Sequence, residues 1–310
     1  MLTQNQIGVL YMVGSVVCFS VMDICVKWLD YYPVGQVLFL RFFIGFIPIL
    51  FIIPKEKFSS FYKTSRPGLH AFRAISGALA IIALFYGLRE LPLADVVSLT
   101  FGGPIFVTVA SIFFLSEKVG IKRWAAVILG FAGMLLIVQP AFIDLNFFYI
   151  SPIIFCIFFA CVAISVRSLS KTEENYTIAF YFTLLCTLLG LGSIFFVPWQ
   201  MPTLIDFFIF IIMGLCGSIA NLLLTQSYRL AEASLVTPIK YLSLVFAILF
   251  GFLIWSEIPK ILTLFGALLV IASSLIIFTR ESQLKKQIIN IETMTIININ
   301  LILLEVFIFF

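Results

Sequence analysis

Apolar residues run through this chain in blocks of about 20, the length a helix needs to cross the hydrocarbon core of a bilayer. Short polar breaks separate them. Ten blocks can be read, near residues 8–29, 34–53, 70–89, 93–115, 122–139, 149–169, 177–198, 206–228, 232–255 and 261–278. Breaks such as YYPVG (31–35), PKEKFSSFYKTSRPG (54–68) and VPWQMP (197–202) combine Pro, Gly and polar or charged residues, as turns between helices require. None is long enough to separate independent domains. The pattern therefore predicts one all-α integral membrane bundle of ten transmembrane helices. The first block begins within ten residues of Met1, without a basic leader or a small-residue cleavage site, and is expected to be a retained helix.

Composition and charge sharpen this picture. Of 310 residues, 62% are hydrophobic and 11% charged, against about 25% charged in an average soluble domain, and mean hydropathy is +1.18. No soluble fold of this size could hide that apolar surface, so the lipid bilayer is the expected solvent. With the N-terminus inside, 14 lysines and arginines fall in inner loops and the C-terminal tail and three (Lys27, Arg89, Lys260) in outer loops. Arg41 and Lys240 lie within spans. The positive-inside rule then places both termini in the cytoplasm of a multi-pass cell-membrane protein, the inner membrane if the cell is bacterial. The net charge of +4 is not gathered into a basic cluster interleaved with aromatics, so no nucleic-acid partner is expected.

Little points to chemistry. All six cysteines fall in expected spans and none forms a CxxC pair, which argues against disulfides and zinc. The single histidine, His70, sits beside basic loop residues and is expected at the headgroups. A His-based triad or a His-rich metal site has no residues to use, no ATP-binding loop is present, and no cofactor or metal is expected. An intramembrane enzyme would need a nucleophile with a base or paired acids. Asp23 is the one acid clearly deep in a span.

The most informative feature is an internal repeat. An offset of 140 residues places FLSEKVGIKRWAAVILGFAGMLLIV (114–138) over residues 254–278, within the segment that begins FLIWSE, so that Ser116 and Glu117 meet Ser256 and Glu257. The same offset superposes Arg89 on Arg229, Lys27 on Arg167, Phe19 on Phe159 and Phe106 on Phe246. Residues 1–140 and 141–280 thus read as two five-helix repeats, followed by a tail, 281–310. Five is odd, so the second copy must enter the membrane upside down. Inverted repeats of this kind build carriers that bind substrate near the midplane and rock one half against the other.

The segments LFLRFF (38–43), FYGLRELPLADVVSLTFGGPIFVTVASIFFLSEKV (85–119) and TPIKYLSLVFAILFGFLIWSE (237–257), in this five-plus-five layout, resemble the drug/metabolite transporter superfamily, EamA type. The resemblance covers residues 8–278. SLTFGGPIF and PIKYLSL are most similar to a branch that includes S-adenosylmethionine uptake transporters and riboflavin importers. It implies a secondary transporter of a small organic metabolite, cofactor-like or amino-acid-like, with a central cavity formed by both repeats. The superfamily also holds drug and amino-acid exporters, so substrate and direction stay open, as does assembly into a homodimer.

Candidate substrate-binding residues follow from polarity at depth. Lys240 lies about eight residues into its span, where a lysine costs about 3 kcal/mol; its repeat equivalent is Thr100, so the charge is not a requirement of the repeated fold. Tyr241 adds an aromatic face and a hydroxyl beside it. Asp23 is a candidate counter-ion for Lys240, or a partner of Lys27 one turn later on the same helix face, and is the sole good candidate for proton or sodium coupling. Arg41 either faces the cavity or reaches back to the outer headgroups. Asn221, Gln226, Tyr228 and Gln139 could hydrogen-bond substrate or glue helices together. Glu117 and Glu257 are expected to cap a neighbouring helix or to pair with Lys118 or Lys260. The tail, broken by Asn298, Asn300 and Glu305, is expected at the interface or poorly ordered, with an eleventh span as the alternative.

Overall fold

The computed structural model describes residues 4–58, 60–115, 121–144, 146–169, 172–231, 237–276 and 279. Glu117 and the tail 281–310 lie outside the described residues, as do the side chains of Gln139 and Tyr228. The chain forms α1 (Gln4–Trp28), α2 (Val34–Ile52), α3 (Pro67–Glu90), α4 (Leu93–Thr100), α5 (Gly103–Leu115), α6 (Ile121–Asp144), α7 (Ile150–Leu169), α8 (Asn175–Gly192) and α9 (Leu204–Leu230). A short 3-10 turn, Thr237–Tyr241, leads into α10 (Leu242–Trp255), and α11 spans Ile261–Ile276. Seven helices are long and apolar enough to cross a bilayer, and three shorter apolar ones complete ten spans among the described residues. The fourth span is α4 followed by α5.

Two spans are broken, at repeat-equivalent places. The fourth turns at Phe101–Gly102, where Gly102 N–H donates to Leu99 O at 2.9 Å, and the ninth changes from 3-10 to α at Tyr241–Leu242. Phe101 and Tyr241, 140 residues apart, meet edge to face with ring centroids at 5.0 Å. A pseudo-two-fold axis thus passes between them. The helix pairs obey it: α1 packs along α9 as α3 packs along α7, and α2 packs against its own equivalent, α8.

Lipid tails are as apolar as leucine, so close backbone approach and short polar bonds have to hold such helices together. A Cβ at Gly133 would lie 2.7 Å from Gly266 O, so α6 and α11 cross nearly backbone to backbone. Seven residues along, Ser273 Oγ donates to Ala126 O at 2.6 Å. Ser15 Oγ donates to Ala220 O at 2.8 Å and Ser227 Oγ to Gly8 O at 2.7 Å, tying α1 to α9 twice. Each such bond contributes roughly 0.6 kcal/mol. His70 departs from its expected place at the headgroups. It is 1% exposed and lies on the Tyr181 ring at 4.6 Å, because α3 turns that face onto α8.

Candidate substrate site and its two seals

Asp23 lines a small, tightly packed pocket together with Ser20, Leu93, Val97, Ser243, Phe246, Ala247 and Phe250. Three elements build it: α1 supplies Ser20 and Asp23, one turn apart; α4 supplies Leu93 and Val97; α10 supplies the aromatic wall. Asp23 maps by the 140-residue offset onto Ala163, so the carboxylate belongs to the first repeat alone.

An ion pair closes the end of these same three helices that the charge count places outside. Lys27, one turn beyond Asp23, bridges to Glu257 Oε1 at 2.6 Å and donates to Leu91 O at 2.6 Å. Glu257 Oε2 accepts from Leu93 N–H at 2.8 Å, capping α4. The geometry is prepared locally. Ser256 is the one described non-glycine residue at positive φ (56°). Ser256 N–H donates to Phe252 O and Glu257 N–H to Gly251 O, each at 3.0 Å, which folds the chain back at the end of α10. A Cβ at Gly251 would lie 3.0 Å from Glu257 Oε2, so the glycine leaves room for the carboxylate. Trp28 and Trp255 add an edge contact at 6.4 Å. The expected helix-capping role of Glu257 holds. Among the described ion pairs its cation is Lys27 from α1, and Lys27 bridges to Glu257 rather than to Asp23, while Lys118 lies outside the described residues.

The inner seal is built of different material. The loop after α2 lies on the start of α8: Thr177 Oγ1 donates to Phe61 O at 2.9 Å, the Tyr181 hydroxyl donates to Tyr62 O, and Phe61 meets Phe180 edge to face at 4.7 Å. Thr64 Oγ1 and Ser65 N–H donate to Glu173 at 2.8 and 3.2 Å, and Lys57 bridges to Glu174 at 3.1 Å. Burial pushes the Glu173 carboxyl up, but the hydrogen bonds from Thr64 and Ser65 outweigh it and hold the group below its ordinary value.

Arg41 lies in the interior, 6% exposed. Its guanidinium stacks over Phe42 at 4.7 Å and faces Phe85 at 5.5 Å, and its Nε and Nη1 have no hydrogen-bond partner. Asp23 is its acidic electrostatic neighbour, without a direct bridge between them among the described ion pairs. Lys240 and Tyr241 stand on the 3-10 turn ahead of α10, half-buried, with that turn packed on α1. Ser243 Oγ, from the pocket wall, donates to Lys240 O at 2.8 Å. Thr100 is half-buried and donates to Val97 O at 2.7 Å. Asn221 and Gln226 are exposed on α9, and Asn221 Nδ2 donates to Gly217 O of its own helix. The structure thus makes Asp23 an electrostatic neighbour of Arg41 without a bridge, and sets Lys240 and Tyr241 on the approach to the pocket wall.

One arginine escaped the sequence reading. Arg73 counts there among the inner loop charges, yet it lies within α3, stacked on the Phe182 ring at 3.7 Å with its Nε and Nη1 unpartnered. Gly77, one turn on, is the signal that could have found it: a Cβ there would lie 3.1 Å from Arg73 Nη1.

Relatives share this layout along nearly the whole chain. A riboflavin transporter of Rhizobium johnstonii is 27% identical over 91% of this chain and 94% of its own length. An S-adenosylmethionine uptake transporter of Rickettsia bellii is 28% identical over 91% and 97%. A pseudopaline exporter of Pseudomonas aeruginosa is 28% identical over 86% and 94%. A crystal structure with 15% identity superposes over 89% of this chain and 98% of its own with a TM-score of 0.61, a likeness of fold. The EamA-like transporter family matches residues 6–139 and again 147–279, and this chain is a member of that family, a multi-pass membrane protein of the transporter class.

Proposed function

We propose that this protein is a secondary transporter that carries a small organic metabolite, cofactor-like or amino-acid-like, across the cytoplasmic membrane by alternating access. Residues 1–140 and 141–280 act as the two rocking halves. One observation carries the reading: a carboxylate-lined pocket inside the bundle, one helix turn from an ion pair that closes the nearer end of the same helices. Asp23 and Arg41 offer opposite charges to the substrate. Lys240, Tyr241 and Thr100, on the broken segments, and Asn221 and Gln226, on α9, complete the path when the halves move.

Export is the second reading, favoured by the pseudopaline exporter among the relatives. Proteoliposomes loaded on one side with labelled riboflavin, S-adenosylmethionine or a zwitterionic amino acid, assayed in both directions with and without a proton gradient, separate the two. Transport reading and enzyme reading part on the label: the transporter returns it chemically unchanged.

A further inference from the structure

Phe42 and Phe182 are 140 residues apart and touch edge to face at 5.2 Å, so the pseudo-two-fold axis runs between them. On one side Arg41 lies over Phe42. On the other Arg73 lies over Phe182. Each guanidinium faces a glycine, and the glycines are themselves 140 apart: a Cβ at Gly217 would lie 3.1 Å from Arg41 Nε, and one at Gly77 3.1 Å from Arg73 Nη1. The arginines are not repeat equivalents, since Arg41 maps onto Tyr181 and Arg73 onto Met213. Two unrelated positions have delivered the same side chain to equivalent chambers.

Both guanidiniums are short of partners. Nε and Nη1 of each are buried without a hydrogen bond. A cation over an aromatic ring recovers only part of what burying the ion costs. Arg41 has Asp23 as an acidic neighbour. Arg73 has Cys186 as its electrostatic neighbour and no carboxylate bridge among the described ion pairs. The deficit calls for an anion.

Depth supplies the second argument. Arg41 is seven residues past Val34, where α2 enters from outside, and Arg73 is six past Pro67, where α3 enters from inside. At 1.5 Å per residue each lies about 10 Å from its own face, leaving about 10 Å between their levels in a core of about 30 Å. We propose that Arg41 and Arg73 are the outer and inner stations of one anion path, between which a carboxylate or phosphate group of the substrate passes across the Phe42–Phe182 pair. This deepens the transport reading and rests on it. In an inverted repeat the two halves exchange environments when the carrier turns over, so a station in each of two equivalent chambers is the arrangement that exchange requires.

The test uses the full chain in nanodiscs, with acetate and orthophosphate as probes and methylammonium as control. In phosphatidylcholine alone, acetate or orthophosphate raises the unfolding temperature of the unaltered protein, and Arg41→Gln and Arg73→Gln each weaken the apparent affinity tenfold or more. Arg73→Lys restores much of it, which keeps the test valid if the glutamine variant folds poorly. Affinity unchanged in Arg73→Gln, or no response to either anion, overturns the proposal. So does a response found only in discs containing phosphatidylglycerol, which would assign the guanidiniums to lipid headgroups. Anion binding with no transport of any compound sinks the transport reading and leaves the anion stations standing.

Discussion

The two repeats share a scaffold and differ in charge. Positions that hold helices together recur at the 140-residue offset: Gly77 with Gly217, Phe42 with Phe182, Phe101 with Tyr241 as aromatic partners. Several interior charges do not recur, although Lys27 and Glu257 have charged equivalents in Arg167 and Glu117. Asp23, Arg41 and Arg73 face Ala163, Tyr181 and Met213 at the equivalent places, and Lys240 faces Thr100. What is repeated builds the bundle, and the unrepeated charges are the positions we propose for the ligand. The two seals differ as well, one a largely buried ion pair and the other an aromatic loop contact with partly exposed carboxylates.

The comparison can be broken most forcefully at Lys27. Lys27→Met leaves Glu257, whose side chain is 20% exposed, without its cation, a cost between the roughly 1 kcal/mol of an exposed pair and the roughly 3–5 kcal/mol of a fully buried one. Its unfolding temperature in detergent should fall well below that of the double variant Lys27→Met/Glu257→Gln, in which no charge is stranded. Equal losses in both would remove the ion pair from the account of the outer seal.

Exchange at the asymmetric positions should spare the fold. Asp23→Ala, which installs the residue found at position 163, should leave expression and unfolding temperature nearly unchanged and reduce transport at least tenfold, a loss of about 1.4 kcal/mol in transition-state stabilisation. Lys240→Met should accumulate in the membrane normally while transport is lost or redirected to another compound. Normal transport by Lys240→Met would take Lys240 out of the path.

How far such predictions could be made before the structure depends on range in sequence. Ten spans, the offset and the depth of Asp23 follow from block lengths and residue matches, which are local or periodic. The Lys27–Glu257 pair joins residues 230 positions apart, and the helix-local rule of i, i+4 pairing points instead to Asp23. Arg73 was hidden by its nearness to PKEKFSSFYKTSRPG: counting charges by loop assigns it to the cytoplasm, while Phe182 and Gly77 draw it inward. His70 was hidden in the same way, its ring covered by Tyr181 from another repeat.

Smaller effects sharpen the seals. Ser256 holds a left-handed conformation (φ 56°) that costs a non-glycine residue about 1–2 kcal/mol. Ser256→Gly should therefore raise the unfolding temperature slightly without changing transport. At the inner seal the folded Glu173 carboxyl lies below its unfolded value, so its contribution is present above that unfolded value and is lost as pH falls through the folded one. Glu173→Gln should cost under about 1 kcal/mol, as partly exposed charge contacts do. It should also abolish the acid-side loosening of the 54–66 loop, read by hydrogen exchange.

Counterflow in proteoliposomes tests the central claim most directly. Vesicles preloaded with unlabelled riboflavin, S-adenosylmethionine or a zwitterionic amino acid are placed in the corresponding labelled compound. The account predicts that for at least one compound the label accumulates transiently inside, chemically unchanged, with the unaltered protein and not with Asp23→Ala. Equal accumulation in Asp23→Ala vesicles, or recovery of a chemically altered label, would contradict it.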